Sequence, residues 1–392
     1  MDLYATPEDT VHLGWLNETV TTDGPVATVH VDVTRTDPQG GHTTELHWQA
    51  VRDRLGEQGA PEPVIDAVHE RVTAATGAAG ELGRHLVVDV DRPDEPLLDL
   101  LVEQRPTQDE ATFGAVPSLT PLLRALDSAV PYLLVEADHS GADVTVVDFL
   151  GRTVRTDDVE GGHDVLHKVR GGAWSHRRMQ QRVEDSFERN ADAVVERVRR
   201  LAEAHAPDVV LLTGDPHACG LVRDALDSGP LGERLRWLRA GGRADGVDRD
   251  ALEAEVAEAL REVRLARMAD VVARFEAARG QDRLAAAGLA GVVGAVQRAA
   301  VDTLLVDADA LGEAVLATDA TQPTLVGTTE QEVSDLGGEQ PLTAPALDVL
   351  VRACVAQDAS LELVDGVSGV LDGGVGALLR FDVRPATPTA GD

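Results

Sequence analysis

The run Val26-Ala27-Thr28-Val29-His30-Val31-Asp32-Val33 alternates apolar and polar positions, the period of a half-buried strand. Helical spacing follows over Thr43–Leu55 and Pro63–Thr76, and Val64, Val68 and Val72 line one face of the second helix. His85–Val90 and Leu97–Val102 read as further strands, parted by Pro93 and Pro96. This first section predicts a compact α/β domain without a chemical motif.

Tyr132–Ala137 and Asp143–Phe149 predict a hairpin turning at His139-Ser140-Gly141. The glycine-rich, polar stretch from Gly151 to Ser175 has little periodicity. A long amphipathic helix is expected from about His176 to Ala206, carried by Met179, Val183, Phe187, Val194, Val198 and Leu201 and ended by Pro207. At ~1.5 Å per residue it is about 45 Å long. Val209-Val210-Leu211-Leu212 reads as a buried strand. An acidic helix over Leu252–Leu265, continuing towards Ala278, opens the last section. A break at Arg279-Gly280-Gln281-Asp282 comes next, then a helix over Leu284–Ala299 and a strand over Val301–Val306. Ala346–Val355 reads as a helix, and Ser360–Val364 and Ala377–Val383 as strands. The fold class expected is α/β, with three mixed domains over 1–130, 131–250 and 251–385 and a frayed tail over 386–392.

The chain has 392 residues, of which 43% are hydrophobic, enough for a core in each domain. Acids number 68 against 35 bases, a formal charge of −33. Such a surface repels polyphosphate over most of its area, so nucleic-acid contact requires a local basic patch. Lys168 is the single lysine, a usage resembling that of a high-GC genome; salt adaptation is the competing source of the acid excess. Cys219 and Cys354 form no motif, which argues against a disulfide scaffold or a zinc finger and for a reducing compartment. The acidic start lacks the pattern of a signal peptide, and the longest near-apolar stretch, Leu284–Val296, is too short to span a bilayer. A cytoplasmic protein without a membrane partner is expected.

Against that background the segment from His163 to Arg182 stands out. Lys168, Arg170, Arg177, Arg178 and Arg182 oppose Asp164 alone, a local net of +4. Gly171 and Gly172 permit positive φ and close approach of backbone to a partner. Arg177 and Arg178 fall at the start of the predicted helix, where cations oppose the dipole, so they do not serve helix formation. Arginine pairs bidentately with phosphate, and Trp174 offers a stacking face. Residue types alone leave two readings in balance: an anion-binding loop, or a solvated loop whose charges balance acids elsewhere.

A basic run, Gly171-Gly172 and a long arginine-rich helix resemble the central domain of the archaeal and eukaryotic class-one release factors, where a Gly-Gly-Gln run reaches the peptidyl-transferase centre. Val301-Asp302-Thr303-Leu304-Leu305-Val306 and Gly373-Gly374-Val375-Gly376-Ala377-Leu378-Leu379-Arg380-Phe381 resemble strands of the last domain of that superfamily, which includes Pelota. The resemblance covers roughly residues 130–385 and is nearest to bacterial, actinobacterial members, among them hibernation factors of the Balon type. It implies a ribonuclease H-like central domain and an L7Ae-like last domain. It also implies binding in the ribosomal A site as a monomer, accompanied by elongation factor Tu, with no metal or other cofactor. The contact residues implied are His167, Lys168, Arg170, Gly171, Gly172, Ala173, Trp174, His176, Arg177 and Arg178. One departure matters: Ala173 stands where the glutamine is expected, and a methyl group neither donates nor accepts a hydrogen bond. The first section also lacks the Asn-Ile-Lys-Ser run that reads stop codons. A loop that occupies the site without catalysis is therefore expected. The alternatives are a peptidyl-tRNA hydrolase or tRNA nuclease working through His167, His176 or Asp164, and a protein-interaction module without the ribosome.

Other features read as structural. Asp215-Pro216 after a strand predicts a helix cap rather than a metal or nucleophilic site at His217 and Cys219. His12, His30, His42, His47, His69 and His85 are scattered, so satisfied or exposed rings are expected rather than ligands. The acids from Asp245 to Glu262 read as a solvated helix face, and a P-loop motif is absent.

Overall fold

In this computed structural model the described residues are 11–34, 40–74, 82–128, 130–160, 173–244, 246–281, 284–364, 366 and 369–383; the side chains of 11, 12, 40–44, 128 and 173–186 are excepted. Strand β1 (Val11–His12) leads through the short helix α1 (Asn17–Val20) to β2 (Val26–Asp32). Helices α2 (Gly40–Glu57) and α3 (Glu62–Thr73) are followed by β3 (Gly83–Asp89), β4 (Leu98–Val102) and β5 (Glu110–Gly114). The antiparallel sheet runs β4-β3-β2-β5. Val29 and Val31 pack on Trp48, Val51, Val64 and Val68 of the two helices, as the valine spacing predicts.

The half-buried reading of β2 needs correction. Thr28 and His30, on its other face, are each 1% exposed. Helix α4 (Thr120–Ser128) and the C-terminal part of the chain cover that face, and Val26, Val87 and Leu98 share a core with Leu122, Leu126, Val349 and Val355.

The second sheet runs β10-β9-β6-β7-β8. Its hairpin strands are β6 (Tyr132–Ala137) and β7 (Gly141–Val147), then comes β8 (Thr153–Glu160). The stretch that sequence reads as aperiodic thus begins with a strand. Its side chains are mostly exposed, and β7 supplies the pairing. Helix α5 (Ala173–His205) leads to β9 (Val209–Gly214), parallel to β6, then to α6 (Pro216–Leu226) and to β10 (Leu235–Trp237), parallel to β9. Val194, Val198 and Leu201 of α5 and Val222 of α6 bury one face of this sheet.

The 32-residue α7 (Arg249–Gly280), about 48 Å long, covers the other face with Leu252, Val256 and Ala259. Its far end sets Val271 and Phe275 against the third sheet. Midway, Arg267 lies 3.8 Å from Asp127, 3.7 Å from Asp208 and 3.7 Å from Glu362, tying three parts of the chain electrostatically.

The last part contains β11 (Ala285–Ala287), α8 (Gly288–Val296), β12 (Val301–Val306), α9 (Ala308–Leu311), β13 (Val315–Asp319) and β14 (Val326–Gly327). Then follow α10 (Glu330–Asp335), β15 (Pro341–Pro345), α11 (Ala346–Ala356), β16 (Ser360–Leu363) and β17 (Val375–Leu379). The main sheet is β1-β16-β12-β17-β11; a small one is β14-β13-β15. The expected helix over Leu284–Ala299 is therefore shorter. Its start is a strand, and Gly288 at φ +71° turns the chain into α8. Strand β1 places residues 11 and 12 beside residues 361 and 360, so the chain's first described strand completes this late sheet. Among the described residues no helix is long and apolar enough to cross a membrane.

Candidate functional site

His167, Lys168, Arg170, Gly171 and Gly172 lie outside the described residues, as does Asp164. Ala173 is the first residue of α5, and Trp174, His176, Arg177 and Arg178 follow in its first turns; their side chains are also outside the described set. The frame that carries this segment is defined on both sides. Glu160, the last residue of β8, pairs with Gly141, so the chain leaves the sheet beside the β6–β7 turn. Helix α5 meets the same turn. The Phe187 ring lies edge-on to His139 at 6.4 Å and to His217 at 5.4 Å, and Asn190 Nδ2 donates to the His139 carbonyl at 2.9 Å. Farther along, Arg197 pairs with Asp157, which lies opposite Val144 in the middle of β7. The helix thus runs back along the sheet from that turn, and its fourteen residues before Phe187 amount to about 21 Å. The head of α5 at Ala173 therefore lies beyond the sheet end where β6 and β9 finish.

The floor at that end is acidic. Asp138 accepts from Ser140 N at 2.7 Å, Ser140 Oγ at 2.6 Å and Gly141 N at 3.1 Å. Burial opposes its ionisation, but the Ser140 bonds, Arg243 and the Gly141 N–H outweigh it and hold the carboxyl below its ordinary value. Arg243 reaches Asp138 at 3.4 Å, Asp143 at 3.2 Å and Asp158 at 2.9 Å. Nearby, Arg249 Nη1 donates to Glu136 Oε1 at 2.7 Å. Two arginines thus meet four carboxylates. Gly214, at φ +125°, closes the floor: a Cβ there would stand 1.9 Å from the Ala137 carbonyl oxygen. A net-negative floor has no affinity of its own for phosphate.

The secondary candidates resolve as structure. The Asp215 carboxylate caps α6, accepting from His217 N and Ala218 N at 3.0 Å each, with Pro216 at the first helical position. Cys219 is fully buried, and burial, then Asp215, pushes its thiol up to about 11, far from a working nucleophile. His30 Nε2 donates to the Ser118 carbonyl at 2.7 Å, so its Nδ1 accepts from His85 Nδ1–H, also at 2.7 Å. Burial lowers these two rings to about 4 and about 3, and both are neutral at pH 7. His47 pairs with Asp109, and His69 stacks on Trp48 at 4.8 Å. Among the described residues no group of three or more His, Cys, Asp or Glu side chains is arranged to hold a metal ion. The acids of α7 fall on its exposed face, except that Glu255 accepts from Arg239 N and Ala240 N at 2.6 and 3.1 Å. Sequence reading missed the Arg243 cluster. Its acids come from the β6–β7 turn, β7 and β8, and the Gly241-Gly242 pair before the arginine was the available signal.

Residues 131–281 match the family described as bacterial archaeo-eukaryotic release factor family 2. Two Mycobacterium tuberculosis proteins, the uncharacterized proteins Rv2629 of strain H37Rv and MT2704 of strain CDC 1551, are each 29% identical over 373 residues; the alignments cover 94% of this chain and 96% of theirs. Pelota of Archaeoglobus fulgidus aligns over 97% of this chain and 94% of its own at 14% identity, with a TM-score of 0.35. Dom34 of S. cerevisiae, described as a translation termination-like factor, aligns over 77% of this chain and 81% of its own at 11% identity, with a TM-score of 0.40. Residues 131–281, which take in the strands of the central sheet, α5, α6 and α7, are thus similar to bacterial archaeo-eukaryotic release factor family 2.

Proposed function

We propose that this protein is a ribosome-binding translation factor of the hibernation or stress type, which occupies the A site as a monomer and does not hydrolyse peptidyl-tRNA. The observation that carries this reading is Ala173 at the head of α5, directly after Gly171-Gly172, inside the family-matched region. The glycine pair keeps close backbone approach available, while the methyl group has nothing to offer a water beside an ester. The basic segment supplies the attraction that the acidic floor withholds, and elongation factor Tu is the delivery partner.

Cosedimentation of the full chain with 70S ribosomes tests the binding. Four neutralised phosphates give a log–log salt slope of about −3.6, on the order of a hundredfold loss of affinity between 50 and 200 mM salt. Reversing Lys168, Arg170, Arg177 and Arg178 to glutamate abolishes occupancy on this reading; undiminished occupancy removes the segment as the contact. Ribosome-bound peptidyl-tRNA stays intact in the presence of the protein, and released peptide or cut tRNA overturns the non-catalytic part. Copurification with elongation factor Tu from a mixture of the two proteins tests the delivery.

A further inference from the structure

The outer edge of the central sheet carries a second locally cationic surface, 231–239 with its neighbours, on a chain that has about two acids for each base. Strand β10 is the outermost strand of that sheet. Trp237 at its end is 42% exposed. Its pairing with Leu212 puts it on the side of α6, where the Arg223 guanidinium lies 5.4 Å from the centre of its ring. Arg236, exposed on the opposite side of the strand, is held at the edge by Nη1, which donates to the carbonyls of Glu233 and Leu235 at 2.8 and 2.9 Å. Arg239 is exposed just beyond it, and Arg199 of α5 reaches the Ala225 carbonyl at 2.9 Å. With Arg234, which donates to the Pro207 carbonyl, five arginines share this edge with Asp224, Asp227, Glu233 and the Glu255 that accepts from Arg239 N and Ala240 N. Asp224 is paired with Arg223.

We infer that this edge is a contact surface for the sugar–phosphate backbone of ribosomal RNA, with Trp237 as a stacking platform for an unpaired base. The inference rests on the ribosome-binding reading above and adds a contact that the Gly171-Gly172 segment does not supply. An indole left this open gains little from folding, whereas stacking on a base uses its free face. Arginine reads phosphate with two parallel donors, and the local sign of charge is the reverse of the chain's average. The alternative occupant, a protein strand added to the sheet, is disfavoured by the edge itself. It is three residues long and flanked by charges, the devices that block strand addition.

The test uses the full chain and 70S ribosomes. A Trp237→Ser/Arg236→Glu/Arg239→Glu variant loses about tenfold or more in occupancy, and its log–log salt slope is shallower than wild type by about two. A Trp237→Phe/Arg236→Lys/Arg239→Lys variant, which keeps the charge and an aromatic face, retains most of the binding. A benzophenone amino acid at position 237 gives light-dependent crosslinks to ribosomal RNA, a readout that does not depend on the stability of the glutamate variant. Crosslinks confined to ribosomal proteins overturn the inference. So does glutamate-variant binding with wild-type occupancy and slope, and in either case the A-site reading stands. Wild type that fails to sediment with ribosomes overturns that reading, and this inference with it.

Discussion

Replacing Arg352 by methionine removes a buried cation that joins distant parts of the chain. Arg352 is 1% exposed within α11. Its Nε donates to the Val20 carbonyl at 3.0 Å, Nη1 to that of Asp319 at 2.7 Å and Nη2 to that of Ala320 at 2.6 Å. Burial lowers its pKa to about 10, partly offset by Asp319, so the guanidinium is charged at neutral pH. Hydrogen bonds to a charged group contribute about 1.5–3 kcal/mol each, and losing three costs about 4.5–9 kcal/mol if they add. Relief of the burial penalty that brings the group to about 10 returns about 3 kcal/mol. The net expectation is a loss of about 1.5–6 kcal/mol, which spans the range for removing one partner of a buried charged cluster. At about 2.1 cal/mol/K of unfolding entropy per residue, each kcal/mol shifts the melting transition of the chain by about 1.2 °C, so it falls by about 2–7 °C. Calorimetry and urea titration read the global change. Hydrogen exchange over residues 11–20 reads the local one, because Val20 loses its donor while β1 depends on that segment to reach β16. A melting temperature within about 1 °C of wild type, with unchanged protection of residues 11–20, would refute the reasoning.

Three more expectations follow from named contacts. Burial raises Asp348 to about 6 and Glu362 to about 7, so the folded chain takes up these protons first and gains stability as pH falls from about 7 towards the unfolded carboxyl values; His30 and His85, lowered by burial to about 4 and about 3, act oppositely, since only the unfolded chain is protonated between 6.5 and those values. An Asp348→Asn/Glu362→Gln variant keeps the histidine penalty without the carboxyl gain, so its urea midpoint drops more between pH 7 and pH 5 than that of wild type; parallel profiles contradict this balance. Asp215→Ala leaves His217 N and Ala218 N without their cap and lowers stability by about 1 kcal/mol, measured by urea titration, and no change removes the capping account. Ala173→Gln restores an amide after Gly171-Gly172, and this variant, unlike wild type, releases peptide from ribosome-bound peptidyl-tRNA; failure of both to release excludes the amide as the missing part.

Much of the architecture is legible in residues that lie close together along the chain. Val64, Val68 and Val72 announce α3, and all three are fully buried. The run at Val301–Val306 is β12 with those bounds, and Asp215-Pro216 starts α6 as its residue types require. Strand β8 was not legible, because exposed residues at a sheet edge need no alternation and only the register with β7 makes them a strand. The burial of Thr28 and His30 was equally hidden, since the cover comes from α4 and from the C-terminal part of the chain. Composition marked the basic run at His163–Arg182, but the acidic cluster appears only when the β6–β7 turn, β7 and β8 bring Asp138, Asp143 and Asp158 around Arg243.

By itself the sequence determined the periodic elements, their caps, the cationic glycine segment and the alanine that follows it. Each depends on backbone propensity and on neighbours within a turn or two. The tertiary structure alone decided which polar groups are buried, that residues 11 and 12 complete a sheet with residues 360 and 361, and that Arg352 is held by carbonyls from Val20, Asp319 and Ala320. Desolvation and charge compensation depend on distance in space, and the groups that supply them here lie tens to hundreds of positions apart in the chain.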